Sequence, residues 1–278
     1  MAINYAEKYS AKVDEAFALE SKTNGAVNND YDFAGVNVVN VYSIPTQALK
    51  DYDMSATGSR YGTASELQDT KQTLTLSRDR SFTFTIDRKN LDDTMGTKAA
   101  GEALARQIRE QVIPELDTYT LAKMAEGAGK TTNNETITKT TAYEKFLAGQ
   151  EALGDAKVPL TGRIAFVSYG MYNFLKQDAA FIKQSDASQA ITVNGQVGIV
   201  DGTAIVPVPR TYLPEGVNFI ITHPVAVVRP VKLEDYKIHD NPPGISGFLV
   251  EGRIRYDAFV LNNKKNAIYV STSASAKA

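Results

Sequence analysis

The chain has 278 residues, 43% of them hydrophobic, with 30 Lys and Arg against 32 Asp and Glu. That length allows one large domain or two intimate ones, the apolar fraction suffices for a packed core, and the balanced charge lacks the basic excess of a free nucleic-acid binder. The absence of Cys excludes disulfide staples, thiolate metal sites and Cys nucleophiles, and two His, His223 and His239, cannot supply a three-His zinc site. No apolar run approaches the ~18–20 residues of a membrane span. Met1 to Glu15 has no apolar stretch of the kind a signal peptide needs, so the chain is expected to be made and kept in the cytoplasm before any assembly.

Tyr9, Val13 and Phe17 recur at helical spacing and form one apolar stripe in an arm, residues 1–35, that carries three Lys against six acids. Thr23 to Asp30 is polar and turn-rich. Val36, Val38 and Val41 alternate as in a strand. The polar stretch from Ser43 to Lys71 is long for a loop inside a compact domain, and such loops are usually functional or disordered. Alternation returns with Leu74 and Leu76, then Phe82, Phe84 and Ile86. Residues 72–87 therefore read as a bent strand, or as two strands joined by a charged turn at Arg78-Asp79-Arg80, and with strand 36–42 they bracket the long loop as the legs of a β-finger.

A long helix follows, with Thr97 as N-cap, a stripe of Leu104, Ile108 and Val112, a kink or restart at Pro114, and an end at Gly127 and Gly129. A helix over 142–153, a buried strand over 163–167 and helical residues near 171–176 come next. Ile191 to Val197 suggests a hairpin about Asn194-Gly195. Strand-like runs then cover 199–208, 218–222, 226–231, 248–255, 257–261 and 267–270, and the small polar tail 271–278 is expected to be disordered. The pattern is α+β, without a βαβ rhythm or a fixed-period repeat.

The search for reactive sites gives little. Gly127-Ala128-Gly129-Lys130-Thr131 has the end of a Walker loop, but Met124 stands where the leading Gly belongs and a helix precedes it, so it reads as a helix terminator. Asp30 to Gly35 fails as a calcium loop because Ala34 and Val41 occupy ligand positions. Asp92-Asp93 reads as a pair of charges at the positive end of the long helix. No G-x-S-x-G elbow occurs, and His239 beside Asp240 reads as a surface pair. No catalytic, cofactor-binding or metal-binding residue is assigned.

Several segments taken in order resemble tailed-phage major capsid proteins. They are Asn4 to Ser10 with Val13-Asp14-Glu15; Gly58 to Thr63 with Glu66-Leu67; Gln72 to Leu76 with Asp79 to Asp87; Val112 to Asp117; and Val197-Gly198 with Asp201-Gly202. Val206 to Pro209, Glu251-Gly252-Arg253, Tyr256 to Phe259 and Ile268-Tyr269-Val270 complete the series. The resemblance implies the capsid fold shared by tailed phages, herpesviruses and encapsulins. It divides the chain into an N-terminal arm (1–35), an extended loop with its flanking strands (36–90), a peripheral domain with the spine helix (91–139 and 226–278) and an axial domain (140–225). It further implies a non-enzymatic subunit that forms hexamers and pentamers and closes an icosahedral head around double-stranded DNA without sequence specificity, located in the virion capsid after assembly in the host cytoplasm. No N-terminal scaffolding domain is visible, which implies a separate scaffolding protein unless this chain is already a processed form; a portal is a further expected partner, and no membrane.

In this fold the arm and loop reach onto neighbouring subunits. The subunit-contact candidates are accordingly Tyr9, Val13, Phe17, Arg60, Tyr61, Arg78 and Arg80, with the three arginines expected to meet acids such as Glu15 and Glu20. The competing readings are an encapsulin-type cellular shell protein, or another virion component such as a tail-tube or decoration protein.

Overall fold

A computed structural model describes residues 21–28, 38–43, 46, 48–55, 57–64, 66, 70–89, 100–178, 199–200 and 202–273. The expected arm stripe at Tyr9, Val13 and Phe17, the Asp92-Asp93 pair, the Thr97 cap and the Asn194-Gly195 turn lie outside them. In chain order the strands are β1 (Val38–Ser43), β2 (Thr70–Thr75), β3 (Arg78–Asp87), β4 (Lys130–Thr132), β5 (Ile164–Ser168), β6 (Ile199–Val200) and β7 (Thr203–Val208). After them come β8 (Val217–Thr222), β9 (Val227–Val228), β10 (Val231–Asp240), β11 (Gly247–Tyr256), β12 (Phe259–Val260) and β13 (Ile268–Thr272). The helices are α1 (Ala100–Gln107), a π-helical turn (Ile108–Val112), α2 (Ile113–Glu126), α3 (Ala142–Asp155) and α4 (Tyr169–Gln177).

Residues 33–75 form a compact unit of their own, built on the antiparallel β1–β2 ribbon from Val38↔Thr75 to Ser43↔Thr70. The expected finger has its two legs in this ribbon, but β3 is not part of it. The chain breaks at Leu76-Ser77, and Arg78-Asp79-Arg80 is not a turn: it begins β3, which pairs with β11 without a slip from Arg78↔Tyr256 to Asp87↔Gly247. The physical reason is Asp257. Its buried carboxylate accepts from Ser77 N (2.9 Å), Ser77 Oγ (2.7 Å), Tyr119 Oη (2.8 Å) and Ala258 N (2.8 Å), which pins the chain where β3 starts. Asp79 accepts from the Arg253 guanidinium at 2.9 and 2.6 Å, and that bond lowers its carboxyl from the usual value.

The three-stranded sheet runs β10-β11-β3. Alternate residues Tyr236, Val250, Ile254, Phe82 and Phe84 pack with Leu104, Ile108, Val112, Ile113 and Leu116 of the long helix. The long helix carries Pro114 in the first turn of α2, directly after a π-helical turn. It passes through the π-helical turn, in which Ile113 N donates to Ile108 O, five residues back. Pro114 has no N–H, and its ring would crowd the carbonyl four residues before it; the wider turn gives that ring room.

The six-stranded sheet has the order β4-β13-β8-β5-β7-β6. Period-two alternation divides its side chains: Phe166, Ile220 and Ile268 pack with Leu121 and Met124 of α2, while Val167, Phe219 and Tyr269 pack with Phe146 of α3 and Met171 of α4. The long helix thus leaves one sheet and continues onto the other. Each such buried large apolar side chain contributes about 1.5–3 kcal/mol. β4 (130–132) and β13 (268–272) hydrogen-bond into the same sheet as the strands of 140–225, so the sheet draws on residues from both sides of that segment. Ser271 and Thr272, expected in a disordered tail, are the last residues of β13, and Ser271 is buried. Pro207 is tolerated in β7 because β6 pairs only with Thr203 and Ala204 and has ended before it.

Arg163, 1% exposed, donates to Pro159 O (2.9 Å), Gln150 O (3.1 Å), Gln150 Oε1 (2.6 Å) and Val158 O (2.8 Å). It gathers carbonyls at the end of α3, where a cation complements the helix dipole, and burial lowers its pKa.

Two outcomes are expected. A Cβ on Gly252 would stand 2.4 Å from Phe82 Cζ and 2.7 Å from Tyr236 Cδ1, so Gly252→Val is expected to cost about 1–3 kcal/mol by denaturant unfolding, as overpacking does; an unchanged midpoint would contradict this packing. His223 Nδ1 accepts from Val225 N (3.3 Å), and burial lowers its pKa below 6.5. The unfolded chain therefore takes up that proton first, and stability is expected to fall as pH drops below about 6.5, less so in His223→Gln.

Candidate assembly surfaces

The segment 48–64 is closed on itself by short local bonds. Asp53 N donates to Arg60 O (3.1 Å), Gly62 N to Ser59 O (3.1 Å) and Lys50 Nζ to Thr63 O (3.1 Å). Asp53 Oδ1 accepts from Ser55 N (2.9 Å) and Ser55 Oγ (2.6 Å), a side chain mimicking a backbone turn. Gly62 has φ +79°, a conformation that costs a residue with a Cβ more than it costs Gly. The Tyr52 and Tyr61 rings meet edge to face at 5.0 Å. These bonds hold an apolar tip open to solvent: Leu49, Met54 and Tyr61 are 101%, 75% and 82% exposed. Arg60, a sequence candidate, is exposed on this tip, and neither it nor Asp51 has a charged partner among the described residues.

Arg78 and Arg80, the other described candidates, lie together on β3 beside α2. Arg80 Nε reaches Glu115 Oε1 at 2.8 Å, so its acid is in its own chain. The same oxygen accepts from Tyr256 Oη (2.9 Å). The Tyr256 hydroxyl is pushed well above the ordinary tyrosine value, first by burial and then by this carboxylate. The Arg78 guanidinium lies 4.7 Å over the Tyr119 ring. Between these groups opens a cleft of about 530 Å³, walled by Arg78, Pro114, Glu115, Tyr119, Tyr212 and Tyr256.

Sequence reasoning missed a buried ion pair. Asp117, 1% exposed, accepts from Ser21 Oγ (2.6 Å), Thr23 Oγ1 (2.6 Å), Lys22 N (2.8 Å) and Thr23 N (3.4 Å). Arg229 Nη1 stands 3.5 Å from Asp117 Oδ1 and donates to Ser21 Oγ and Thr23 Oγ1, while its Nη2 donates to Asn24 Oδ1 (3.1 Å). Burial lowers the Arg229 pKa to about 10, and the Asp117 charge opposes that shift. A signal existed: Asp117 lies four residues from both Ile113 and Leu121, inside the apolar stripe.

The rejected enzyme sites have structural roles. Gly127 caps α2, Gly129 N donates to Lys265 O (2.8 Å), and a Cβ on Gly129 would stand 2.7 Å from Asn266 N, so the glycine allows close backbone approach. Lys130-Thr131 enters β4, not a helix. His239 meets Glu251 (3.2 Å) rather than Asp240. Among the described residues no His, Asp or Glu cluster could hold a metal, and no helix is long and apolar enough to cross a membrane.

A family model described as phage capsid protein matches residues 68–271. No curated protein sequence matches the chain. Among solved structures, a chain of Mycobacterium phage Che8 is 19% identical with a TM-score of 0.67, covering 91% of this chain and 90% of that one. The capsid structure of cyanophage P-SCSP1u is 13% identical, covering 86% and 84% at a TM-score of 0.65. A virus-like particle from Pyrococcus furiosus is 12% identical, covering 97% and 100% at 0.59.

Removing one partner of a buried ion pair strands the other. Asp117→Ala is therefore expected to cost about 3–5 kcal/mol by denaturant unfolding, whereas Asp117→Leu with Arg229→Met should fall within about 1 kcal/mol of the parent or exceed it. Equal losses in the single and double variants would contradict a coupled pair.

Proposed function

The chain belongs to the phage capsid protein family and is a major capsid protein of the icosahedral head, and from that premise we propose that its function resides in contacts between copies and not in chemistry on a substrate. The carrying observation is the distribution of exposed apolar groups. Of the ten exposed large hydrophobic residues among the described ones, Val38, Tyr42, Leu49, Tyr52, Met54 and Tyr61 belong to the unit 33–75. A two-stranded ribbon is marginally stable alone in water, and a patch of this kind marks an interaction site. In this reading the segment lies on a neighbouring copy, with Arg60 and Tyr61 as contacts, Arg78 and Arg80 as the cations of a receiving face, and Tyr9, Val13 and Phe17 of the arm on another neighbour.

The proposed assembly consists of hexamers and pentamers joined by repeated heterologous contacts, each modest and summed over many copies. The shell encloses double-stranded DNA without reading its sequence, which suits the near-zero net charge. A separate scaffolding protein and a portal are the proposed partners, with assembly in the host cytoplasm. We assign the three-stranded sheet and the first part of the long helix to a peripheral module. The axial module is assigned to residues 140–225 together with β4 and β13, which share their sheet.

Deleting residues 54–66 is expected to leave a folded subunit, by circular dichroism and cooperative unfolding, that makes no closed shells by electron microscopy. Normal shells from the deletion would contradict the proposed role of this segment.

A further inference from the structure

His223 stands at the corner where the chain leaves the six-stranded sheet. β8 ends at Thr222, a 3-10 turn covers Pro224–Ala226, and β9 begins at Val227. Only Val227 and Val228 separate that turn from Arg229 of the buried ion pair. The half-buried imidazole fills the corner. Its Nδ1 accepts from Val225 N (3.3 Å), and the ring also bonds the Thr161 backbone. Its Nε2 lies 3.5 Å from where a Cβ on Gly162 would stand. Backbone bonds close the rest: Ala226 N donates to His223 O (3.0 Å), His223 N to Ala267 O (3.2 Å) and Leu261 N to Ala226 O (2.9 Å). The ring thus stands among three segments, 157–163, 223–226 and 261–267.

A nitrogen that accepts a backbone N–H carries no proton of its own. Protonating Nδ1 sets two N–H groups face to face and takes the acceptor from Val225 N. The surroundings add to that cost. The charged side chains on the three segments are Lys157, Arg163, Lys264 and Lys265, all of them cations. Arg163 and Lys264 are the two that act on the ring. The bonds of Arg163 go to the carbonyl oxygens of Pro159, Gln150 and Val158 and to the Gln150 side-chain oxygen, so a second positive charge arrives beside one that these bonds do not neutralise. Burial does most to lower the His223 pKa, the Thr161 bond opposes it, and the two cations add to the lowering.

We propose that His223 is an acid-sensitive latch: the neutral ring closes the corner between β8 and β9 onto the 157–163 segment, and a proton on Nδ1 opens that corner locally. The inference goes beyond the reading of the chain as a shell subunit and does not depend on it. In the opened corner the ring returns to its ordinary value near about 6.5, so the opened form takes up the proton first. The latch is at full strength above about pH 6.5 and weakens as pH falls from there toward the folded value.

The test is hydrogen exchange of the full chain read by mass spectrometry at about pH 7.5 and about pH 5.5, either side of the ordinary histidine value, with amide rates corrected for the intrinsic effect of pH. The chain has two His, so exchange of the imidazole C2 hydrogen reports His223 apart from His239. His223 is expected to titrate below about 6.5. The amides of 223–226 and Leu261 are expected to exchange about three- to ten-fold faster at the lower pH, while those of β11 keep their rates. His223→Asn retains an acceptor for Val225 N, as Asn does in turns, but cannot be protonated; folded by circular dichroism, it is expected to lose the acid response. Lys264→Glu exchanges a neighbouring cation for an acid and is expected to raise the His223 pKa. The latch would be overturned by a His223 that titrates at or above about 6.5, by unchanged rates at 223–226, or by equal acceleration in β11. An acid response kept in folded His223→Asn, or a His223 pKa unmoved in Lys264→Glu, would overturn it as well.

Discussion

The buried contact of Asp117 with Arg229 fixes how the body of the subunit is put together. Asp117 is on the long helix, Arg229 lies between β9 and β10, and Ser21, Thr23 and Asn24 close over both. N-terminal to Asp117 the helix packs on the three-stranded sheet, and C-terminal to it on the six-stranded one. An ion pair taken out of water is costly unless its remaining hydrogen-bonding capacity is filled. Four donors to Asp117 and three acceptors for Arg229 fill most of it here, and only Arg229 Nε is left without a partner among the described residues. A partly assembled version would strand charge in a dry site, so residues 21–24, the helix and the 229 junction assemble together or not at all. Asp257 repeats the device nearby, joining Ser77, Tyr119 and the end of β11.

This body contrasts with the unit 33–75, whose described apolar groups are largely turned outward. Its local bonds preform the tip at Asp53, Arg60 and Gly62, which reduces the ordering cost when a partner covers it. A shell subunit needs this division of labour: a body that keeps one shape, and contact elements whose stabilisation is completed by another copy.

Much of this was legible in the sequence. Alternation located β1 and most of β3, apolar runs located β5 and β8, helical periodicity located the long helix, and the ordered motifs from Asn4 to Val270 carry the resemblance that implies the fold. The errors had physical causes. Of the two readings of 72–87, the charged turn at Arg78-Asp79-Arg80 fails because each of these side chains finds a cross-strand, helical or ring partner in β3. β10 was not recognised beyond Val231 because its Lys, Glu and Asp residues are depleted in strands, and its register slips between Leu233 and Asp235. The π-helical turn leaves no sequence mark except Pro114. Arg60 and Tyr61 stand exposed, whereas Arg80 meets Glu115 of its own chain, a pairing that joins residues 35 apart and shows in no local pattern. Asp117 and Arg229 are 112 positions apart, and although the apolar stripe exposes Asp117 as anomalous, nothing in the sequence names its partner.

The most direct measurement is negative-stain electron microscopy of the purified chain, alone and with a scaffolding protein. The account predicts closed, uniform shells, or rings of five and six copies that close when scaffold is added. A small oligomer of fixed size under every condition would contradict it.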